Sequence, residues 1–148
     1  MRDLGRMVWS AAVIVSLGAG LGACADEVEA EGDGFPPEPL VTVTGAWVEV
    51  EARSGPEQPP VRGVFEVELA IADLQGAPLA GLEVAVRPWM PAMHHGTSVQ
   101  ARVTERAPGV YLVSDVGCPM AGAWVLETDV TAGDGSRSEH LQIPVQVR

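Results

Sequence analysis

The sequence predicts an all-β domain, an immunoglobulin-like antiparallel β-sandwich of about seven strands. Three observations point there. Apolar residues recur with a period of two in run after run, as Phe65, Val67, Leu69 and Ile71 do against Glu66 and Glu68. Turn-forming clusters of Gly, Pro, Asp and Ser break these runs every 8–15 residues. Beyond the apolar N-terminal run, no stretch repeats with the 3.6-residue period of a helix. A closed barrel is the minor alternative.

Taken in order, Val41-Thr42-Val43-Thr44 alternates cleanly, and Val48-Glu49-Val50-Glu51 alternates in the opposite phase. The one-residue slip between them predicts a bulge near Gly45-Ala46. Ser54-Gly55-Pro56-Glu57-Gln58-Pro59-Pro60 reads as a loop, and Phe65 to Ile71 as a half-buried strand. After the turn region Asp73 to Gly81, Leu82, Val84 and Val86 point inward between Glu83, Ala85 and Arg87. Val99, Ala101 and Val103 resume the alternation, and Ala107-Pro108-Gly109 turns the chain into Val110 to Ser114. Cys118 to Gly122 interrupts again before the run of Trp124, Leu126, Thr128 and Val130. Gly133 to Ser136 is a hairpin turn. Leu141, Ile143, Val145 and Val147 share the last inner face, and Pro144, with no N–H to offer a neighbour, marks an edge strand.

The N-terminus has a different character. Arg2 and Arg6 precede an apolar or small run from Met7 to Gly22, the pattern of a secretory signal and short for a membrane span. It ends in Leu21-Gly22-Ala23-Cys24, which resembles the bacterial lipobox. The resemblance implies cleavage before Cys24 and a diacylglycerol anchor on its thiol. Residues 1–23 are then the signal, residues 24–39 the lipidated cysteine with a disordered acidic tether, and residues 40–148 the folded domain. Several acyl chains on one residue give lasting attachment to a membrane. The expected location is the bacterial cell envelope, facing the periplasm. Ala25 after the cysteine, in place of aspartate, points to the outer membrane.

Charge narrows the partners. The 148 residues carry a formal net charge of −11, and beyond the signal 7 arginines face 19 acidic residues with no lysine. Nucleic acid is excluded as a partner, because phosphates need basic neutralisation. Cations are attracted only loosely by such a balance. No serine, histidine and acid stand in a recognisable arrangement, and no glycine-rich phosphate loop opens a helix, so no enzymatic activity is expected. With Cys24 lipidated, Cys118 has no disulfide partner among the two cysteines of the chain. It reads either as a small buried hydrophobe or as a ligand.

The chemistry concentrates in Trp89-Met90-Pro91-Ala92-Met93-His94-His95-Gly96. Thioether and imidazole side by side suit a soft metal, copper(I) above all, whereas zinc prefers more His, Cys or carboxylate. Met90 and Met93 lie three apart around a proline, a spacing that lets both sulfurs turn towards one point. His94 and His95 are adjacent, so in extended backbone their rings point apart and one of them joins the methionines. Met120, and with it Cys118, offers sulfur from a second loop. The competing reading is structural: methionines plugging the end of a sandwich, and histidines that are simply exposed. His140, on the solvent phase of the last strand, reads as a surface residue, and Trp124 as core packing.

The string Met90-Pro91-Ala92-Met93-His94-His95-Gly96, then Gly109-Val110-Tyr111, then Met120-Ala121-Gly122-Ala123-Trp124 resembles the YtkA-like domain and its more distant FixH-like relatives. Asp73 to Gly81 is similar to that family's turn before the central strand. The resemblance spans about residues 60–148. It implies a small extracytoplasmic β-sandwich, often membrane-attached, with relatives tied to copper handling or to assembly of haem–copper oxidases. Under it the matching ligand positions are Met90, Met93, His95 and Met120, with His94 at a variable position. The expected function is a lipid-anchored copper-binding protein that sequesters copper or delivers it to a receiving protein. The alternative is a non-metal interaction module docking on an envelope complex, in efflux or oxidase assembly, with the Met/His motif structural.

Overall fold

A computed structural model describes residues 34–148 of the chain. The predicted signal, the lipidation at Cys24 and the first part of the tether lie outside the described residues. Among the described residues no helix is long and apolar enough to cross a membrane. Among the described residues nine strands form, where about seven are expected: β1 (Val41–Thr44), β2 (Val48–Gly55), β3 (Gly63–Asp73), β4 (Glu83–Met90), β5 (His95–Gly96), β6 (Arg102–Ala107), β7 (Val110–Cys118), β8 (Gly122–Thr131) and β9 (Ser138–Val147). They make two antiparallel sheets, one in the order β1-β2-β3-β7-β6 and one in the order β5-β4-β8-β9. This is the antiparallel sandwich that the period-two runs predict.

The alternation decides which side chains meet between the sheets. Along β3, Phe65, Val67, Leu69 and Ile71 are buried while Val64 and Glu66 face out. From the other sheet come Trp124, Leu126 and Val130 of β8 and Ile143 of β9. Each such side chain contributes about 1.5–3 kcal/mol when fully withdrawn from water. β9 is an edge strand, and Pro144 sits within it, as its missing donor requires.

Three expectations are corrected. The phase inversion before Val48 is a hairpin and not a bulge: Gly45 N–H donates to the Val48 carbonyl at 2.8 Å, and Thr44 pairs with Glu49. Bulges lie elsewhere, between Phe65 and Val67 and between Glu105 and Ala107. The chain does not leave β7 at Ser114 but continues to Cys118, which pairs with Gly63. Val99 and Ala101 are not in a strand; they belong to a segment that crosses from one sheet to the other ahead of β6.

The sandwich has two distinct ends. One holds the tight connections β1–β2, β3–β4, β6–β7 and β8–β9. There the buried Tyr111 anchors the β3–β4 turn, its hydroxyl donating to the Leu79 carbonyl at 2.8 Å and accepting from Leu82 N–H at 3.0 Å. The other is the end at which the described chain enters. Residues 34–39, assigned by sequence to the tether, lie there against β2: a Cβ on Gly55 would stand 2.7 Å from the Phe35 ring, and Arg53 Nε donates to the Pro37 carbonyl at 3.2 Å. The same end carries the β4–β6 connection with its Met/His string, the β7–β8 connection, and Arg148, which exchanges backbone hydrogen bonds with Pro60 and Arg62.

Candidate metal centre

Proline at position 91 ends β4 and opens a single 3-10 turn, Pro91–Met93. His94 closes that turn in the left-handed conformation, φ 52°, with its N–H donating to the Pro91 carbonyl at 3.3 Å. The chain then folds back on itself, so that His95 pairs with Met90 and Gly96 with Trp89. A four-residue reversal thus sets Met90 beside His95 and throws Met93 and His94 outward. Met93 is 53% exposed, and His94 is exposed as well.

Met90 points into the sandwich, 6% exposed. Its methyl group lies against Gly122 at the start of β8, so closely that a Cβ there would stand 2.7 Å from it. Gly122 has φ +136°, a conformation that side chains resist, so the backbone here calls for glycine. The ring of His95 makes a T-shaped contact with Trp124, centroids 6.0 Å apart and planes inclined by 73°. Trp124 in turn donates its Nε1–H to the Met120 carbonyl at 2.8 Å. The two loops singled out in the sequence therefore do meet, with Gly122 and Trp124 as the joint.

The His95 ring is oriented by its own backbone: Nδ1 lies 2.8 Å from the Gly96 carbonyl oxygen, which can only accept, so Nδ1 is the donor of this contact and Nε2 is the ring nitrogen it leaves unused. A histidine ready to ligate through Nε2 has this arrangement. Met120, 39% exposed, and Met93 are open to solvent on either loop.

Cys118 stands apart from these exposed donors. It is the last residue of β7, fully buried, and burial pushes its thiol up to about 12. His140 lies on the outer face of β9, its Nδ1 2.8 Å from an Asp129 carboxylate oxygen, in a surface pair remote from the methionines.

Among the described residues no three His, Cys, Asp or Glu side chains gather as a metal site. A cleft of about 550 Å³ runs along β4 beside Trp89, Gly96 and Val99, but none of Met90, Met93, His95 or Met120 lines it. Sequence reasoning treated Trp124 as packing alone. The available signal was its position four residues after Met120, which lets the indole reach back to that carbonyl.

The model of the YtkA-like family matches residues 43–129, more than half of the chain. The chain belongs to the YtkA-like family. Among solved structures, a copper-bound variant of FetP from uropathogenic Escherichia coli is similar at 7% identity and a TM-score of 0.55, over 77% of this chain and 92% of that one. FetP as isolated, after expression in the periplasm, matches at 8% identity and a TM-score of 0.50, over 74% and 92% of the two chains. A DUF4426 family protein from Pseudomonas aeruginosa matches at 10% identity and a TM-score of 0.50, over 72% and 96%. At these identities the likeness is one of fold. No curated protein matches the sequence.

Proposed function

We propose that this YtkA-like protein is an extracytoplasmic copper carrier, anchored through Cys24 and facing the periplasm, that holds copper(I) with Met90, Met93, His95 and Met120. One observation carries the reading: Gly122 and Trp124 bring the Met/His turn and the Met120 loop together, with the His95 ring against Trp124 and its Nδ1 engaged by the Gly96 carbonyl. Thioether and neutral imidazole are the donors copper(I) prefers, and neither must lose a proton to bind. Met90 would supply a buried sulfur and Met93 and Met120 exposed ones, leaving the site accessible from solvent. Such a site suits sequestration or hand-over to another protein better than permanent storage. That FetP of similar fold has been crystallised with copper adds to the reading, but the ligands named here come from this chain alone.

The test is a copper(I) competition titration against a chromogenic chelator, comparing wild type with Met93→Ala/His95→Ala. The double variant is expected to lose affinity at least tenfold, about 1.4 kcal/mol, with its fold intact by circular dichroism. Equal, weak binding by both proteins would sink the proposal. If the motif is instead a structural part of a docking module, the same substitutions lower the melting temperature and added copper does not raise it.

A further inference from the structure

We propose that the end of the sandwich bearing the Met/His turn rests on the lipid bilayer to which Cys24 is attached, through a rim of exposed apolar side chains. The inference deepens the proposed function, since it uses the lipid anchor, but it does not depend on copper.

Six large hydrophobic side chains are notably exposed among the described residues: Val61, Val64, Leu74, Met93, Val99 and Met120. All but Leu74 lie at the end where the described chain enters. Val61 sits in the β2–β3 connection, next to the Arg62–Arg148 hydrogen bond. Val64, 62% exposed, pairs with Gly117, and a Cβ on Gly117 would stand 2.9 Å from Val99, so Val64 and Val99 flank one glycine. Met93 and Met120 come from the two loops joined at Gly122 and Trp124. Single exposed hydrophobics are ordinary on a surface, but five confined to one end make a patch that needs an apolar counterpart.

Three ion pairs lie towards this end: Arg53 with Glu51, Arg148 with Glu57 and Arg102 with Asp115.

The attachment point selects the occupant. Ten residue steps lead from Cys24 to Gly34, where the described chain begins beside Gly55 at this same end. At full extension ten residues reach at most about 35 Å. That roughly equals the length of β3, 11 residues at about 3.3 Å each, and so the length of the domain itself. The opposite end can meet the membrane only with those ten residues drawn taut, whereas the apolar rim meets it at any shorter span. The copper site would then open towards the membrane surface, where a membrane-embedded receiver presents its own site.

Fluorescence quenching decides the orientation. The acylated protein is placed on phosphatidylethanolamine–phosphatidylcholine vesicles that contain a lipid with a nitroxide on its headgroup. A fluorophore is carried by Ser98→Cys, at the rim end, or by Leu74→Cys, about 33 Å away along β3 at 3.3 Å per residue. Cys24 is blocked by its lipid and Cys118 is buried, so only the introduced thiol reacts. Quenching is expected to be several-fold stronger at position 98 than at position 74. Val61→Asp/Val64→Asp should bring the two values together, both positions being exposed in the wild type and so tolerant of charge. Equal quenching at the two positions, or a ratio unmoved by the aspartates, overturns the lipid contact. So does a mass spectrum showing no acyl groups on Cys24, which separates failure of the anchor from failure of the orientation; a copper titration that fails leaves both untouched.

Discussion

The His95 ring and the Trp124 indole stand at 6.0 Å in a T-shaped contact, and the same indole holds the Met120 carbonyl through its Nε1–H at 2.8 Å. One buried side chain of β8 thus positions a nitrogen donor from one loop and the backbone beside a sulfur donor from the other. Trp124→Phe keeps an aromatic ring in the core and removes the N–H. The Met120 carbonyl loses its partner at a loss of about 1–3 kcal/mol in stability, readable by urea denaturation. If Trp124 positions ligands, copper(I) affinity should also fall, by about tenfold. Affinity equal to wild type would mean that Met120 reaches the metal without this support.

Gly122 and Met90 make a second coupled pair. A methyl group on Gly122 meets the Met90 methyl at 2.7 Å and must also adopt φ +136°. Gly122→Ala is therefore expected to destabilise the fold by about 1–3 kcal/mol, the range for a residue forced into a sparsely populated backbone region. Part of that loss is steric contact with Met90 and part is backbone strain. Met90→Ala removes the contact at about 2–5 kcal/mol of its own, so the double variant should be less destabilised than the sum of the singles. Strict additivity in denaturant midpoints would show that the backbone term alone sets the requirement for glycine.

At the opposite end, Tyr111 offers a cleaner measurement. Its hydroxyl serves the Leu79 carbonyl and the Leu82 N–H together, pinning the turn that launches β4. Tyr111→Phe leaves both groups without that partner and is expected to lose about 1–3 kcal/mol. Copper(I) affinity should be unchanged, because the turn lies a full strand length from the methionines. A parallel loss of copper binding would reveal that the register of β4 is set from this turn.

The sandwich was legible because a strand with one buried face must alternate, and Phe65 to Ile71 or Leu141 to Val147 can do little else. Pro144 located an edge strand for an equally direct reason, the donor it lacks. The errors have physical causes too. A phase inversion between Thr44 and Val48 is produced equally by a bulge and by a tight hairpin, and only the Gly45–Val48 hydrogen bond separates them. Cys118 to Gly122 reads as an interruption, yet β3 holds Gly117 and Cys118 in the sheet through Val64 and Gly63. Val99 alternates with Ala101 but packs over Gly117 instead of joining a strand. The donor types of the site were plain from the sequence. What joins them was not, since the Met90–Gly122 and His95–Trp124 contacts link residues some thirty positions apart.

Cys118 makes stability depend on alkaline pH in a calculable direction. A thiol is neutral when protonated, so burial disfavours the thiolate and raises the pKa from 9.0 to about 12. Between those values the unfolded chain gives up the proton while the folded chain keeps it. Folded protein then binds more protons, and stability falls as pH rises. The contribution is full below pH 9 and would be lost by pH 12, for a total of about 4 kcal/mol at 1.36 kcal/mol per unit. Tyr111, whose phenol burial also raises above 10.0, acts in the same direction. Urea denaturation of wild type should therefore show falling stability from pH 9 to 11, and Cys118→Ala should flatten that decline. Thiol labelling at pH 8 gives an independent reading: the folded protein is expected to stay unmodified until urea unfolds it. Reaction in the folded state at the rate of an ordinary exposed thiol would contradict the burial, and would return Cys118 to the list of accessible sulfur donors.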